Sequence, residues 1–281
     1  MPDLATRIEA QARVLPPAER RVAEIVLDDP SAAAFATVAE LGRRARTSGA
    51  TVVRLADRLG YDGWVGLQSD ARAHIGQRLR PAAERIREGK VQDVLAATAA
   101  READNVVRTL DGVDRLAFEQ GVTLLAARRR TVRVLAGAAQ YGIAAMFADA
   151  LDLLRPGSSR VSGSPVEVAR ALAHTEPGDV LVAIDLRRYE RWVLEAAAAT
   201  TERGGKVVAL TDARLSPLAR GAEVVFVVAA EGAGPFDSHV GTLALLNALA
   251  TGVAVRLRRS ATDRLDRVEA AWQKADALAE D

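Results

Sequence analysis

The stretch DVLVAIDLRRYERW, residues 179–192, places reactive groups where a strand should end. Val180 to Ile184 are five apolar residues in a row, which suits a strand buried on both faces. Asp185, Arg187, Arg188 and Tyr189 follow at once. An acid, two guanidinium groups and a phenol can act there in three ways. Arg187 or Arg188 can fork onto a phosphate or carboxylate, assisted by the N-terminus of the following helix. Asp185 can pair with an arginine and lock the turn. Or the acid and Tyr189 can hold a polar ligand that carries no phosphate. A carboxylate repels a phosphate unless an arginine stands between them, so Asp185 weighs against the simplest phosphate site. The sequence leaves the three open.

A second constellation lies in TVAELGRRARTSGATVVRLADRLGYDGWVGL, residues 37–67. Thr37 and Glu40 have the spacing of a capping box, and Val38, Ala39 and Leu41 give that helix its apolar side. It is expected to end near Arg44 to Arg46. Ser48 is expected to cap a second helix, Gly49 to Leu59, stopped by Gly60. Val52, Leu55 and Leu59 form its inner stripe, and Gly49, Ala50, Thr51, Arg54 and Arg58 are assigned to the outer face. Two short helices joined by a tight turn lay the second in a DNA major groove. Small residues at its start let it approach base edges, Thr51 suits a phosphate or a thymine methyl, and Arg54 can reach a guanine or a phosphate. Arg46 and Ser48 in the turn, and Arg58, complete the candidate DNA-contacting set. Residues 37–80 hold eight arginines and four acids, a local excess that the rest of the chain reduces to a net +1. A solvated helical pair is the competing reading.

The elements that must hold these groups fall into two halves. Up to Arg130 the apolar residues recur at helical spacing, as in Leu4, Ile8, Ala12 and Leu15. Pro17 suits a first helical turn, and Asp28-Asp29-Pro30 ends that helix. Pro81 and Gly89 bracket a basic connecting stretch, and two helices are expected over Val91–Leu110 and Val113–Ala127. After Arg130 come short apolar runs, TVRVLAG, DVLVAID, GKVVALT and AEVVFVV, separated by helical stretches. That alternation means a parallel sheet with helices on both faces. SSRVSG (158–163) reads as a further short strand, Val240–Leu257 as a long helix and Asp263–Ala279 as a closing one.

Composition excludes several classes. A chain of 281 residues suggests two domains. It has no cysteine, which rules out disulfides and thiolate metal sites. His74, His174 and His239 are far apart and form no HExxH, so neither a metal nor a cofactor is expected. MPDLATRIEAQARVL lacks the pattern of a signal peptide. The longest apolar run, Leu243 to Val255, is interrupted by Asn247, Thr251 and Gly252 and is too short to span a bilayer. A soluble cytoplasmic protein, away from membranes, is the expectation.

LPPAERRVAEIVLDDP together with the 37–67 stretch resembles the N-terminal domain of the RpiR (MurR/RpiR) family of bacterial transcriptional regulators, over about residues 1–80. Ser48, Ala50, Thr51, Val52 and Arg54 match the family's recognition-helix segment, and Leu59, Gly60, Tyr61, Gly63 and Trp64 match the turn after it. Gly49 departs, standing where a bulkier polar residue is usual. The resemblance implies a C-terminal SIS (sugar isomerase) domain, which typically binds a phosphorylated sugar. GKVVALTDARLSPLARGAEVVFVV is similar to a SIS segment, with Thr211, Asp212, Ser216, Pro217, Leu218 and Ala219 in place. Ligands of open parallel sheets bind beyond the C-terminal strand ends, where Thr211 lies. Thr211 and Ser216 equally suit a turn and a helix cap. Where the family has Ser-x-Ser-Gly after Pro-Gly-Asp, this chain has Asp185, Leu186, Arg187 and Arg188. Where the family has a Gly-x-Gly-x-Ser type turn after the first strand, it has Ala136, Gly137, Ala138, Ala139 and Gln140. Both serine clusters are replaced. Ser238 and His239 are secondary candidates, with Asp237 or Ser238 alternatively the cap of the helix from Val240.

The expectation is therefore an all-α helix-turn-helix domain (1–80), a helical linker (81–110) and an α/β SIS domain (111–281) with a parallel sheet. It is a DNA-binding regulator whose partners are a double-stranded operator, a second or further copies as dimer or tetramer, and a small anionic metabolite. Ala138, Ala139, Gln140, Asp185, Arg187, Arg188, Tyr189, Thr211, Ser216, Ser238 and His239 form the candidate effector set. Two alternatives stand: a constitutive DNA-binding dimer whose sheet domain only oligomerises, and a sugar-phosphate isomerase. The second needs a base poised beside the sugar carbons, and no Glu or His lies in a recognisable catalytic pattern.

Overall fold

Helical spacing becomes helix among the described residues up to Ala126. The computed structural model describes residues 4–12, 14–28, 33–34, 36–79, 81–88, 91–214 and 216–277. They divide into two units, 1–81 and 82–281. In the first, α1 (Leu4–Gln11), α2 (Pro17–Asp28), α3 (Val38–Arg44), α4 (Gly49–Arg58) and α5 (Gly63–Leu79) follow one another. Ile8, Val22, Val26, Leu41, Val52, Leu55, Trp64 and Leu67 close their core. Local chemistry sets the ends. Thr37 Oγ1 accepts from the Glu40 amide at 3.2 Å, capping α3. At the end of α4, Gly60 takes φ +82° and the Tyr61 amide donates to the Ala56 carbonyl at 3.0 Å. That is the glycine-dependent Schellman closure.

The second unit begins with α6 (Ala82–Glu88), α7 (Val94–Asp111) and α8 (Arg115–Ala126). The stretch expected as a linker, 81–110, thus supplies α6 and most of α7, and α7 packs on the C-terminal helix with Asn105 and Thr109 buried. The sheet follows: β1 (Val132–Ala136), α9 (Tyr141–Leu154), β2 (Ser158–Arg160), α10 (Pro165–Leu172), β3 (Val180–Ile184), α11 (Arg191–Glu202), β4 (Lys206–Thr211), β5 (Val224–Val227) and α12 (Val240–Lys274). Strand order is β2-β1-β3-β4-β5, all parallel. Alternation along β3 divides the core. Val180, Val182 and Ile184 pack with Phe147, Phe226 and Leu249 on one face; Leu181 and Ala183 pack with Val168, Leu172 and Val193 on the other. Every β3 residue is therefore apolar.

The expected pair of C-terminal helices is one continuous helix, α12. No Gly or Pro occurs between Val253 and Lys274 to break it. It is the one helix among the described residues long and apolar enough to cross a membrane. Its Leu245, Leu246, Leu249 and Val253 are fully buried in the core of the unit. Arg155, just after α9, is also fully buried. It donates to the Leu125 carbonyl at 2.9 Å, to the Pro156 carbonyl at 3.0 Å and to the Arg130 carbonyl. It thereby ties the end of α8 to the turn before β2, and burial pushes its pKa down.

Candidate nucleic-acid interface and effector cleft

The turn between α3 and α4 is drawn tight by its backbone. The Thr47 amide donates to the Gly42 carbonyl at 2.8 Å, and a Cβ on Gly42 would lie 3.1 Å from the Thr47 carbonyl. Arg46 turns the corner at φ +50° with its side chain exposed, while its carbonyl and that of Ala45 accept from Arg21 at 3.4 and 3.0 Å. On α4 the inner stripe is as expected: Val52 and Leu55 are fully buried and Leu59 nearly so. The outer face needs correcting. Thr51 is 3 % exposed and belongs to the inside. It sits one residue before Val52 and four before Leu55, on the edge of the apolar stripe, a signal the sequence contained.

Its burial has a purpose. Thr51 Oγ1 accepts from Thr47 Oγ1 at 3.0 Å and from Arg54 Nη2 at 3.0 Å, and it lies 3.1 Å from Ser48 Oγ. A hydroxyl oxygen has two lone pairs and one proton. Both lone pairs are occupied, so the proton goes to Ser48. Ser48 makes no side-chain cap to the α4 backbone, against expectation. Gly49 also faces inward: a Cβ there would lie 2.8 Å from Val38 Cγ1. Its small size serves the α3–α4 contact rather than a base edge. Ala50 and Arg54 remain outside. The Arg54 side chain is 61 % exposed, steadied by Thr51 and by Glu19 Oε1 at 3.9 Å. Arg58 is partly exposed but gives its Nε to Glu19 Oε2 at 2.7 Å. The buried Glu19 on α2, which sequence reasoning passed over, therefore anchors the arginine edge of α4.

The cleft of the second unit lies past the C-terminal ends of β1, β3 and β4. Asp185 is buried, and its Oδ2 accepts from the Glu190 amide at 2.7 Å. No arginine pairs with it among the described residues; of the three readings left open, the Asp185–arginine lock is absent, since Arg187 turns to Asp237. Burial pushes the Asp185 carboxyl up to about 7, with the charges of Glu190 and Asp212 adding to the rise and backbone amides opposing it. Arg187 Nε lies 3.0 Å from Asp237 Oδ2, and its Nη2 donates to the Ala230 carbonyl at 3.3 Å. Arg85 on α6 takes the other oxygen of Asp237 at 2.8 Å. Arg188 is exposed at φ +69°. The Tyr189 hydroxyl donates to Asp212 Oδ1 at 2.7 Å.

Around the first turn, Glu190 dominates. Its Oε1 accepts from the Ala138 amide at 2.5 Å and its Oε2 from Trp192 Nε1 at 2.5 Å. A Cβ on Gly137 would meet Asp185 Oδ1 at 2.7 Å, Glu190 Oε1 at 2.9 Å and Gln140 Oε1 at 3.1 Å, so a larger residue would displace these side chains. Ala138 and Ala139 are exposed and Gln140 is buried. Thr211 is fully buried and its Oγ1 has no partner among the described residues. Ser216 caps a short turn of helix through the Ala219 amide at 3.2 Å. Ser238 Oγ donates to Glu102 and accepts from the Val240 amide at 3.1 Å, so it serves the start of α12. His239 is half-buried, and burial pushes its imidazole down. The structure thus gathers Ala138, Gln140, Asp185 and Glu190 at one turn and puts Ser216 and Ser238 to backbone use. Glu190 and Arg85 were missed, and Asp212 and Asp237 were named only as a motif match and as a possible helix cap. Each acts through a partner distant in sequence or through a backbone amide, which no motif spacing announces.

Two family models match the chain. One, described as a helix-turn-helix domain of the rpiR family, matches residues 3–77, and the other, the SIS domain, matches residues 124–252. The HTH-type transcriptional regulator HexR of Pseudomonas aeruginosa is 28 % identical over 271 residues, covering 91 % of this chain and 90 % of its own. A solved sugar isomerase domain of an RpiR transcription factor from Sphaerobacter thermophilus is 29 % identical with a TM-score of 0.58, covering 63 % of this chain and 99 % of that one. The Vibrio vulnificus NanR protein complexed with ManNAc-6P superposes over 99 % of this chain and 100 % of its own at a TM-score of 0.58 and 22 % identity, a likeness of fold.

Proposed function

The chain belongs to the RpiR family of helix-turn-helix transcriptional regulators carrying a SIS domain, and from that premise we propose that it is a cytoplasmic homodimer or homotetramer, binding an operator through α4 and releasing or gripping it in response to a small anionic metabolite at the strand ends. Arg54 is the principal DNA contact in this reading, with Ala50 beside it and Arg46 at the turn. Two copies multiply the specificity that one head provides. The reading contains no catalytic step.

One observation carries the coupling: Asp237 is shared between Arg187, at the end of β3, and Arg85, on the first helix after the boundary between the units. An anion that captures Arg187 takes away one of the two cations on Asp237 and changes the hold on Arg85. The effect is a coupling free energy between cleft and head, reciprocal by linkage. ManNAc-6P, named with the Vibrio protein, is a suitable first probe beside a panel of phosphorylated and carboxylated metabolites. Fluorescence anisotropy on promoter DNA should show Arg54→Ala losing about 1–3 kcal/mol of affinity with folding intact. Asp237→Asn should still bind the effector, by thermal shift, but lose its influence on DNA. Equal DNA affinity for Arg54→Ala refutes the head; an unaltered response in Asp237→Asn refutes the relay.

A second reading has its own support. Glu190 already places a carboxylate on the Ala138 amide, with Asp185 beside it, and this acidity opposes an anion. In this reading the head binds DNA constitutively and the sheet domain only oligomerises. A parent protein whose melting temperature no metabolite in the panel shifts would favour it.

A further inference from the structure

We propose that the second unit carries a separate anion site, at the end of the sheet opposite the strand-end cleft, in which Arg128, Arg264 and Arg267 receive a small phosphate-bearing ligand. A cavity of about 230 Å³ is lined by these three arginines with Leu154, Pro156 and Ser260. Arg128 lies between α8 and β1, Leu154 is the last residue of α9, and Pro156 lies between α9 and β2. In an all-parallel sheet both positions lie at strand N-termini, away from Asp185 and Thr211 at the C-termini. The two sites are therefore distinct.

The walls are fixed from behind. Buried Arg155 clasps the carbonyls of Leu125, Arg130 and Pro156, which holds the segment bearing Arg128 against the turn bearing Pro156. The third wall is α12, secured by the Arg264 Nε bond to the Asp152 carbonyl at 2.6 Å. Charge is in excess. Arg264 Nη2 pairs with Asp152 Oδ1 at 3.2 Å, the one ion pair made by any of the three arginines among the described residues. Arg267 gives its Nε to the Asp263 carbonyl at 3.0 Å and makes no ion pair among the described residues. Ser260 gives its proton to the Leu257 carbonyl at 3.1 Å, so recognition falls to the guanidinium groups.

Guanidinium forks match phosphate oxygens in pairs. The volume is below the roughly 300–1,000 Å³ of drug-sized sites. A phosphate or diphosphate fits, with at most a short carbon skeleton against Leu154 and Pro156. A concave site of this size suits a small ligand better than the backbone of a duplex.

The test uses the full chain and inorganic diphosphate as probe, at matched ionic strength. Thermal shift should rise by about 3–6 °C at ten times the dissociation constant. Arg128→Ala and Arg267→Ala, both at exposed positions, should each weaken diphosphate binding at least tenfold, with Arg→Lys at either position recovering part of it. The same losses should appear in an Arg187→Ala background, which removes any contribution of the strand-end cleft to diphosphate binding. No shift in the parent, or full binding by both alanine variants, overturns the site. So does a result in which these variants lose promoter affinity and salt dependence while keeping the diphosphate shift, since the arginines then contact DNA backbone.

Discussion

Replacing Asp185 by Asn should stabilise the second unit, and more so at high pH. The carboxyl is 3 % exposed and sits at about 7 against an ordinary 3.8, raised by burial first and by Glu190 and Asp212 second. A carboxyl with a raised folded-state pKa is unpenalised below about 4, where both states are protonated. The folded state loses stability as pH climbs from about 4 to about 7, because the unfolded chain releases the proton first. Three pH units at about 1.4 kcal/mol each give a penalty of about 4 kcal/mol above pH 7, and less than half of that at pH 5. Asn keeps an oxygen to accept from the Glu190 amide and carries no charge. Urea denaturation of parent and variant near pH 5 and pH 8 should therefore show the advantage of the variant growing by about 2–3 kcal/mol between them. A variant that loses stability, and loses most at pH 8, would mean that the Asp185 carboxylate is held by a cation, and the reasoning would fail.

Glu190→Gln should bring the Asp185 midpoint down, since a neighbouring negative charge is removed; carboxyl titration by NMR reads it, and an unmoved midpoint would separate the two groups. Thr51→Val keeps the shape of a buried residue but leaves Thr47, Ser48 and Arg54 without their shared oxygen. It should cost about 1–2 kcal/mol in denaturation and also weaken promoter binding through a looser Arg54; equal DNA affinity would show that Arg54 needs no such support. Arg155→Met should cost the second unit about 3 kcal/mol or more, because carbonyls it satisfies lose their donor; a loss under 1 kcal/mol would show that the clasp is dispensable.

What the sequence disclosed and what it withheld divide along range of interaction. Thr37, Gly60 and the run Val180–Ile184 act on their own neighbours or through a simple period, and their roles were legible. The sheet was legible for the same reason, each strand being a continuous apolar run. Thr51 was misplaced because a hydroxyl reads as polar, although its oxygen is internally saturated. Gly49 was assigned to DNA since nothing in the chain says that Val38 stands 2.8 Å from where its Cβ would be. The Arg187–Asp237–Arg85 arrangement joins residues from 85 to 237 and has no local signature. Glu190 escaped for a different reason: it bonds a backbone amide fifty-two residues away, and any residue type can supply an amide.

The close approach of Val38 to Gly49 restricts how such a head can be retargeted. Substituting a longer side chain at position 49 to read a different base would push the two helices apart before it reached the groove. If α4 reads the operator as proposed, new preferences would instead be written at position 50 or 54, which open to solvent, or follow a compensating reduction of Val38. Anyone building a library of altered-specificity variants should hold 38 and 49 together as a single unit of variation.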